Sequence, residues 1–303
     1  MFALEKEIST EQLQEAKCPL CNTSSSRLIF SEGIFSVVQC DACDIQFEKR
    51  QLDKNGLQKI YNTHEYWSSS SPRSFGYASY LRESKNYLRT FALRIKGTPE
   101  LTKKVGSVLD IGCGCGYFLE KMQERGWKCS GIDISKEASD EALKRANLHI
   151  QTGDESLLEG MESRFDIVSL WDVIEHLPEP VKSLKRIRNI IQPGGLLILE
   201  TQNFQSFFAR LLGKRWHHYK HLEHLWHFSP QSIEQILKQA GFRVVRSSAR
   251  HGGKYVSLGF IAERAKRIHP WLGLMLEKCA YPVRHWSLYV NLFDEMIVIA
   301  EPA

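Results

Sequence analysis

No stretch of this 303-residue sequence reaches the ~18 consecutive apolar residues that a membrane-spanning helix requires. Nor does it open like a secretion signal, because MFALEKEISTEQLQEAK mixes charges of both signs around no apolar core. The expectation is a cytoplasmic protein, and in that reducing setting eight cysteines point to metal ligation before disulfides. No long lysine and arginine block stands behind the net charge of +5, so nucleic acid is not the expected partner. There is no internal repeat of solenoid period. What remains, 43% hydrophobic and 25% charged residues, suits one large α/β domain with a smaller accessory unit.

The accessory unit is written in cysteine. Cys18 and Cys21 form one C-x-x-C pair, Cys40 and Cys43 a second, with 18 residues between the pairs. Two such turns complete a tetrahedral four-sulfur site, and a closed site of that kind is structural, with no open position for substrate. The segments 27–30 and 35–39 between the pairs have the look of short ribbon strands. A zinc ribbon is expected over 18–50, after an N-terminal segment 1–17. A fold this small buries too little apolar surface to stand without its Zn2+.

Residues 51–104 form a connector. The serines at 68–71 and Pro72 mark a loop, and a helical pattern follows. Tyr66, Trp67, Tyr77 and Tyr80 have two readings, as a cap over a ligand pocket or as the core of a helical layer.

From residue 105 to the end, strands and helices alternate. Val108 to Ile111 reads as a buried strand, Gly112, Gly114 and Gly116 as a turn that brings backbone close to a ligand, and Tyr117 as the start of a helix. A second strand ends at Asp133, where a carboxylate can accept hydrogen bonds from both hydroxyls of a ribose. A dinucleotide fingerprint does not fit, because Tyr117 stands where its third glycine belongs. The pattern D-x-G-x-G-x-G instead resembles the first motif of the class I S-adenosylmethionine-dependent methyltransferases. The run from Trp171 through Glu175 and His176 to Pro178, and the later HLWHFSPQSIEQILKQAGF, resemble the ubiquinone O-methyltransferase-like branch.

That resemblance implies a seven-stranded Rossmann-like sheet and S-adenosyl-L-methionine as cofactor. It also implies roles: Asp110 orienting the loop and the methionine portion, Asp133 and its neighbour Ile134 at the ribose, and Asp154 or Glu155 at the adenine amino group. Trp171 falls on the same cofactor wall. It further implies a small-molecule or sugar-intermediate acceptor, methylated on oxygen or nitrogen. A ribbon-bearing RNA methyltransferase and a non-catalytic cofactor-binding scaffold are the alternatives.

Ligands of open α/β sheets sit beyond the carboxyl ends of the strands, so segments after the fourth and fifth strands face the acceptor. There the sequence places His176 and, in 201–230, five of its eleven histidines between His217 and His227. His176 is the candidate base, with His224 and His227 as alternatives; an unperturbed imidazole titrates near ~6.5. Helical i,i+3 and i,i+4 spacing within the cluster, with Glu223 adding an oxygen, would make a metal site instead. A third reading is a lid whose histidines only pack. The insertion 253–292 is helical and rich in Leu, Trp, Arg and His. Its Phe260, Ile261, Trp271, Leu272, Met275 and Tyr281 suit an apolar acceptor pocket, packing against the core or another subunit, or peripheral membrane contact through 256–290 beside Arg264, Lys266 and Arg267. The oligomeric state is not legible.

Overall fold

A computed structural model describes residues 13–61, 80–102, 104–161 and 164–303. Five short strands come first: β1 (Leu13–Glu15), β2 (Ser26–Glu32), β3 (Phe35–Cys40), β4 (Gln46–Glu48) and β5 (Arg50–Leu52). β2, β3 and β4 form an antiparallel meander, and the turn from β3 into β4 carries the second cysteine pair. Phe35, Val38, Ile45 and Phe47 are buried beneath it. Helices α1 (Lys54–Tyr61) and α2 (Ser84–Gly97) make the connector. Of its four candidate capping aromatics only Tyr80 is among the described residues; Tyr66, Trp67 and Tyr77 lie outside them.

The large domain then alternates as its apolar runs require: β6 (Ser107–Ile111), α3 (Tyr117–Gln123), β7 (Lys128–Asp133), α4 (Lys136–Ala146), β8 (Ile150–Thr152), β9 (Phe165–Trp171), α5 (Pro180–Ile190) and β10 (Ile191–Gln202). These five strands are parallel, and Val108, Val168, Leu170 and Leu197 to Leu199 are almost wholly buried, as strands covered on both faces must be. Short elements follow, α6 (Phe207–Leu212), β11 (Trp226–His227), α7 (Pro230–Gln239) and β12 (Phe242–Ser248). The insertion is framed by paired strands β13 (Lys254–Ser257) and β14 (Ser287–Val290), which enclose α8 (Leu258–Ile268) and α9 (Pro270–Ala280). β15 (Glu295–Pro302) closes the chain, antiparallel to both β10 and β12.

The main sheet has seven strands in the order β12-β15-β10-β9-β6-β7-β8, the seven-stranded Rossmann-like sheet expected from the sequence. Chain order reverses between β6 and β9, which opens a crevice at their carboxyl ends. The second sheet is less expected. β11 pairs with β4, Trp226 opposite Phe47 and His227 opposite Gln46, so the ribbon's sheet runs β11-β4-β3-β2. A strand from 201–230 is thus the edge of the N-terminal sheet.

Candidate active site

A cavity of about 410 Å³ lies in the crevice, walled by Gly112, Gly114, Asp133, Ile134, Asp154, Glu155, Trp171 and His176 from the large domain. Leu57, Tyr61 and Tyr80 close it from the connector.

The glycine turn follows β6 and is pinned by the acid at the end of β7. The Gly114 N–H donates to Asp133 Oδ2 at 2.7 Å, and the Ser135 N–H donates to Oδ1 at 2.8 Å. Gly114 itself has φ +53°, and a Cβ there would stand 2.8 Å from the Tyr80 hydroxyl, so a side chain would meet both strain and the connector. Burial pushes the Asp133 carboxyl up to about 6, with both backbone donors opposing. Asp110 stands behind the wall, buried, accepting from Ser169 Oγ at 2.7 Å. Burial, with Asp133 nearby, pushes it up to about 8. Gly116 also stands behind, at the N-terminus of α3.

Asp154 and Glu155 share the far wall but are differently engaged. Asp154 caps its own turn, accepting the Ser156 N–H at 2.9 Å, while Glu155 accepts from Ser183 Oγ at 2.9 Å. On the opposite side the Trp171 ring packs against Phe91 and Phe118, and its Nε1 has no partner among the described residues. Asp172 follows at φ +55°, a left-handed conformation uncommon for a residue with a side chain, and its buried Oδ1 also lacks a described partner. Nothing in the sequence singled out Asp172, because an aspartate carries no mark of its backbone angle.

His176 sits on a single 3₁₀ turn, Ile174–His176, immediately beyond Asp172. Its Nδ1 is 2.9 Å from the Tyr61 hydroxyl, and its ring meets His224 edge-on at 4.8 Å between centroids. Burial lowers its pKa to about 4, so the ring is neutral over the whole ordinary pH range. Glu175 does not serve the ring's other nitrogen: its Oε2 accepts from Thr201 Oγ1 at 3.0 Å, while Oε1 has no described partner. Burial and the neighbouring Asp172 hold Glu175 well above the ordinary carboxylate range. One ligand atom each from Glu175, His176 and His224 lie within 4.8 Å of one another, a separation a single cation can bridge. Tyr61 was invisible to sequence reasoning, since 115 residues separate it from His176.

The histidine-rich segment departs from one expectation. Residues 216–225 are turns, so the histidines share no helical face, and they separate into three groups. His217 and His218 face Asp294, each 3.8 Å from Oδ2. His224 faces His176. His221 and His227 face the ribbon: His221 Nδ1 lies 2.6 Å from Glu48 Oε1, His227 Nε2 lies 4.0 Å from it, and the His221 ring stacks on Phe35. Burial alone would lower His221, but the Glu48 carboxylate raises it above its usual range. Glu223 is 3.4 Å from Lys220, and its backbone hydrogen-bonds the His176 ring, so it belongs with the His176 and His224 group. His224 and His227 are buried by the same packing, which lowers both pKa values, and neither lines the cavity.

At the ribbon, Cys18, Cys21, Cys40 and Cys43 bring their sulfurs within 4.8 Å of one another. Cys18 and Cys40 are buried, Cys43 is half-buried and Cys21 exposed. Burial and the neighbouring thiols push Cys18 up to about 12, so four thiolates gather here only if a cation neutralises them.

A methyltransferase-domain family model matches residues 77–247, more than half of the chain. Together with the strand order and the pinned glycine turn, this places the chain in the class I S-adenosylmethionine-dependent methyltransferases, to which it belongs. It is 28% identical over 168 residues to the ubiquinone biosynthesis O-methyltransferase of Coxiella burnetii (strain Dugway 5J108-111), covering 50% of this chain and 70% of that one. To the enzyme of the same description from Alkalilimnicola ehrlichii it is 35% identical over 118 residues, covering 35% of this chain and 46% of that one. The chain thus spans about half the length of most such relatives. Among solved structures it resembles magnesium protoporphyrin IX methyltransferase from Synechocystis PCC 6803 with bound SAH, with a TM-score of 0.49 and 16% identity over 83% of this chain and 100% of that one. No helix among the described residues is long and apolar enough to cross a membrane.

Proposed function

We propose that the protein transfers the methyl group of S-adenosylmethionine to a hydroxyl of a small molecule. Support comes from one observation above the others: a neutral imidazole, His176, on the cavity wall next to Trp171 and Asp172, backed by Glu175 and His224. The sulfonium is already activated, so the protein's work is to align two centres and keep water out. A hydroxyl acceptor also has a proton to lose, which an amine acceptor need not lose before attack. The His176 ring meets the Tyr61 hydroxyl at Nδ1 and the backbone of Glu223, so to act as base it would exchange one of these contacts for the acceptor hydroxyl. Asp133 is read as the ribose acid, Asp154 or Glu155 as the adenine contact, and Zn2+ as the structural ion of the four cysteines. The O-methyltransferase relatives agree with an oxygen acceptor.

A second reading of the same three side chains follows from the depth of His176. An imidazole depressed to about 4 is a weak acceptor for a proton from an alcohol or phenol. A divalent cation held by Glu175, His176 and His224 would lower the pKa of the hydroxyl itself. The supporting atoms are Glu175 Oε1 and His224 Nδ1, both buried with no described partner.

Turnover with a panel of catechols, phenols and sugar alcohols separates the two. His176→Ala is expected to lower kcat by ~10²–10⁴-fold with affinity for S-adenosylhomocysteine little changed. A base works only when unprotonated, so with the pKa lowered to about 4 the rate should hold from pH 7 down to pH ~5 and fall through about 4. Under the cation reading, chelator-treated enzyme stays inactive until Mg2+ or Mn2+ is added, and Glu175→Gln loses that rescue. Wild-type kcat in His176→Ala, or activity on amines alone, would remove the hydroxyl assignment.

A further inference from the structure

The insertion places α8 and α9 as a hairpin on the outside of the molecule. Their axes come close at Gly273, where a Cβ would lie 2.4 Å from the Lys266 backbone nitrogen. α8 turns inward, with Ala262 and Ala265 buried and Phe260 lining a small cavity that shares Tyr80, Trp171 and Asp172 with the large one.

α9 has the reverse polarity of an ordinary surface helix. Trp271, Leu274 and Met275 stand at i, i+3 and i+4, all exposed, with Lys278 one turn on. Beyond the helix, Tyr281 is 67% and Trp286 70% exposed, so two indoles and a phenol are exposed within 16 residues of the chain. Large apolar side chains exposed this densely are normally covered by something.

Its charge says by what. Residues 258–286 hold five Lys and Arg (264, 266, 267, 278, 284) against two Glu (263, 277), a balance of +3. Glu277 is already paired to Lys266 at 2.7 Å, and Arg284 lies over the Tyr281 ring at 5.2 Å. Lys278 and Arg284 therefore flank the aromatics as exposed cations. A second copy docked face to face would bring like charges together. An anionic lipid surface matches instead, since indole and phenol rings favour the bilayer interface and cations favour its headgroups. The 11 residues of α9 rise ~16 Å, about half of a hydrocarbon core, so the helix would lie in the plane of the interface and not span it.

We infer that the α8–α9 hairpin is a peripheral membrane-docking element for anionic bilayers, through Trp271, Leu274, Met275, Tyr281 and Trp286 with Lys278 and Arg284. The docking does not depend on the methyl-transfer reading. If that reading holds, Phe260 links the docked face to the acceptor side of the cavity, where an apolar acceptor could arrive from the bilayer.

Co-sedimentation of the full chain with vesicles tests it. Vesicles of phosphatidylcholine with about one third phosphatidylglycerol should bind the protein, pure phosphatidylcholine only weakly, and added salt should reduce binding. Trp271→Ser with Trp286→Ser, and separately Lys278→Glu with Arg284→Glu, should each lower partitioning about tenfold or more. Unchanged circular dichroism and S-adenosylhomocysteine affinity in both variants would show that the fold is intact. Absence of binding by the wild type, or equal binding by the variants, overturns the inference. So does a concentration-dependent dimer in sedimentation that Trp271→Ser abolishes, which would give this face to a second copy.

Discussion

On the proposed reading Asp133 has two tasks in one carboxylate, because the oxygens that would meet a ribose already hold the Gly114 and Ser135 amides. Asp133→Ala therefore removes the ribose acceptor and releases the turn together. The expected loss of S-adenosylhomocysteine binding is ~1.5–3 kcal/mol by calorimetry. Asp133→Asn should recover part of it, since one amide oxygen can still accept from a backbone N–H. Wild-type affinity in both variants would remove the residue from the cofactor site. The turn and the acid at the strand end were legible in the sequence, because a glycine turn after one strand and an acid at the end of the next is a local pattern. The partners of His176 were not. Tyr61 and His224 come from elements that approach only when the connector and the 201–230 segment pack against the His176 turn, and no spacing rule spans such distances.

At the scale of elements, the histidine-rich segment is the largest departure from expectation. Helical spacing suggested a shared face, yet the segment turns, and its histidines divide among three neighbours. The physical reason lies in Leu225. Its N–H donates to Glu175 O at 2.9 Å, and its carbonyl accepts from the Glu48 N–H and Gln51 Nε2, both at 3.1 Å. A chain pulled into extended pairing on one side and against the Glu175 turn on the other cannot coil. Trp226 Nε1 adds a bond to Leu177 O at 2.7 Å. β11 is thus a bridge from ribbon to His176. Glu48, fully buried and bonded to His221, is the ribbon's side of that bridge. Glu48→Leu should lower kcat ~10-fold or more through misplacement of His224 and His176, with cofactor affinity near wild type. A kcat equal to wild type would show that the bridge does not position the site.

For the whole molecule the same bridge sets how the parts lose structure together. If the four cysteines hold Zn2+ as proposed, a ribbon standing alone would melt by itself when that ion is stripped, leaving the large domain untouched. With β11 as its edge strand, and with Phe47 against Trp226 and Phe35 against His221, the ribbon shares buried surface with the large domain. Chelator, or Cys40→Ser, should then lower the melting temperature of the entire chain by several degrees, as ~1–2 kcal/mol would for a domain of this size. Calorimetry should show one shifted transition. A small early transition with the main one unmoved would mean that the two parts unfold separately. The seven-stranded sheet was legible because each strand is a continuous apolar run between turn residues. The joining of the two sheets was not, because a two-residue strand carries no periodicity to read.

The β4–β11 pairing also orders events during synthesis. β2, β3 and β4 leave the ribosome early and can pair at once, since their contacts are local. Their outer edge, however, stays open until Trp226 and His227 emerge some 180 residues later. During that interval the nascent chain carries an unpaired strand edge beside Phe47, not yet covered by Trp226, while the Glu175–His176 turn lacks its contacts with Leu225 and His224. The last stitch of the N-terminal sheet also sets Leu225 on Glu175 and His224 on His176, so a chain that stalls before residue 226 has neither the closed edge nor that support.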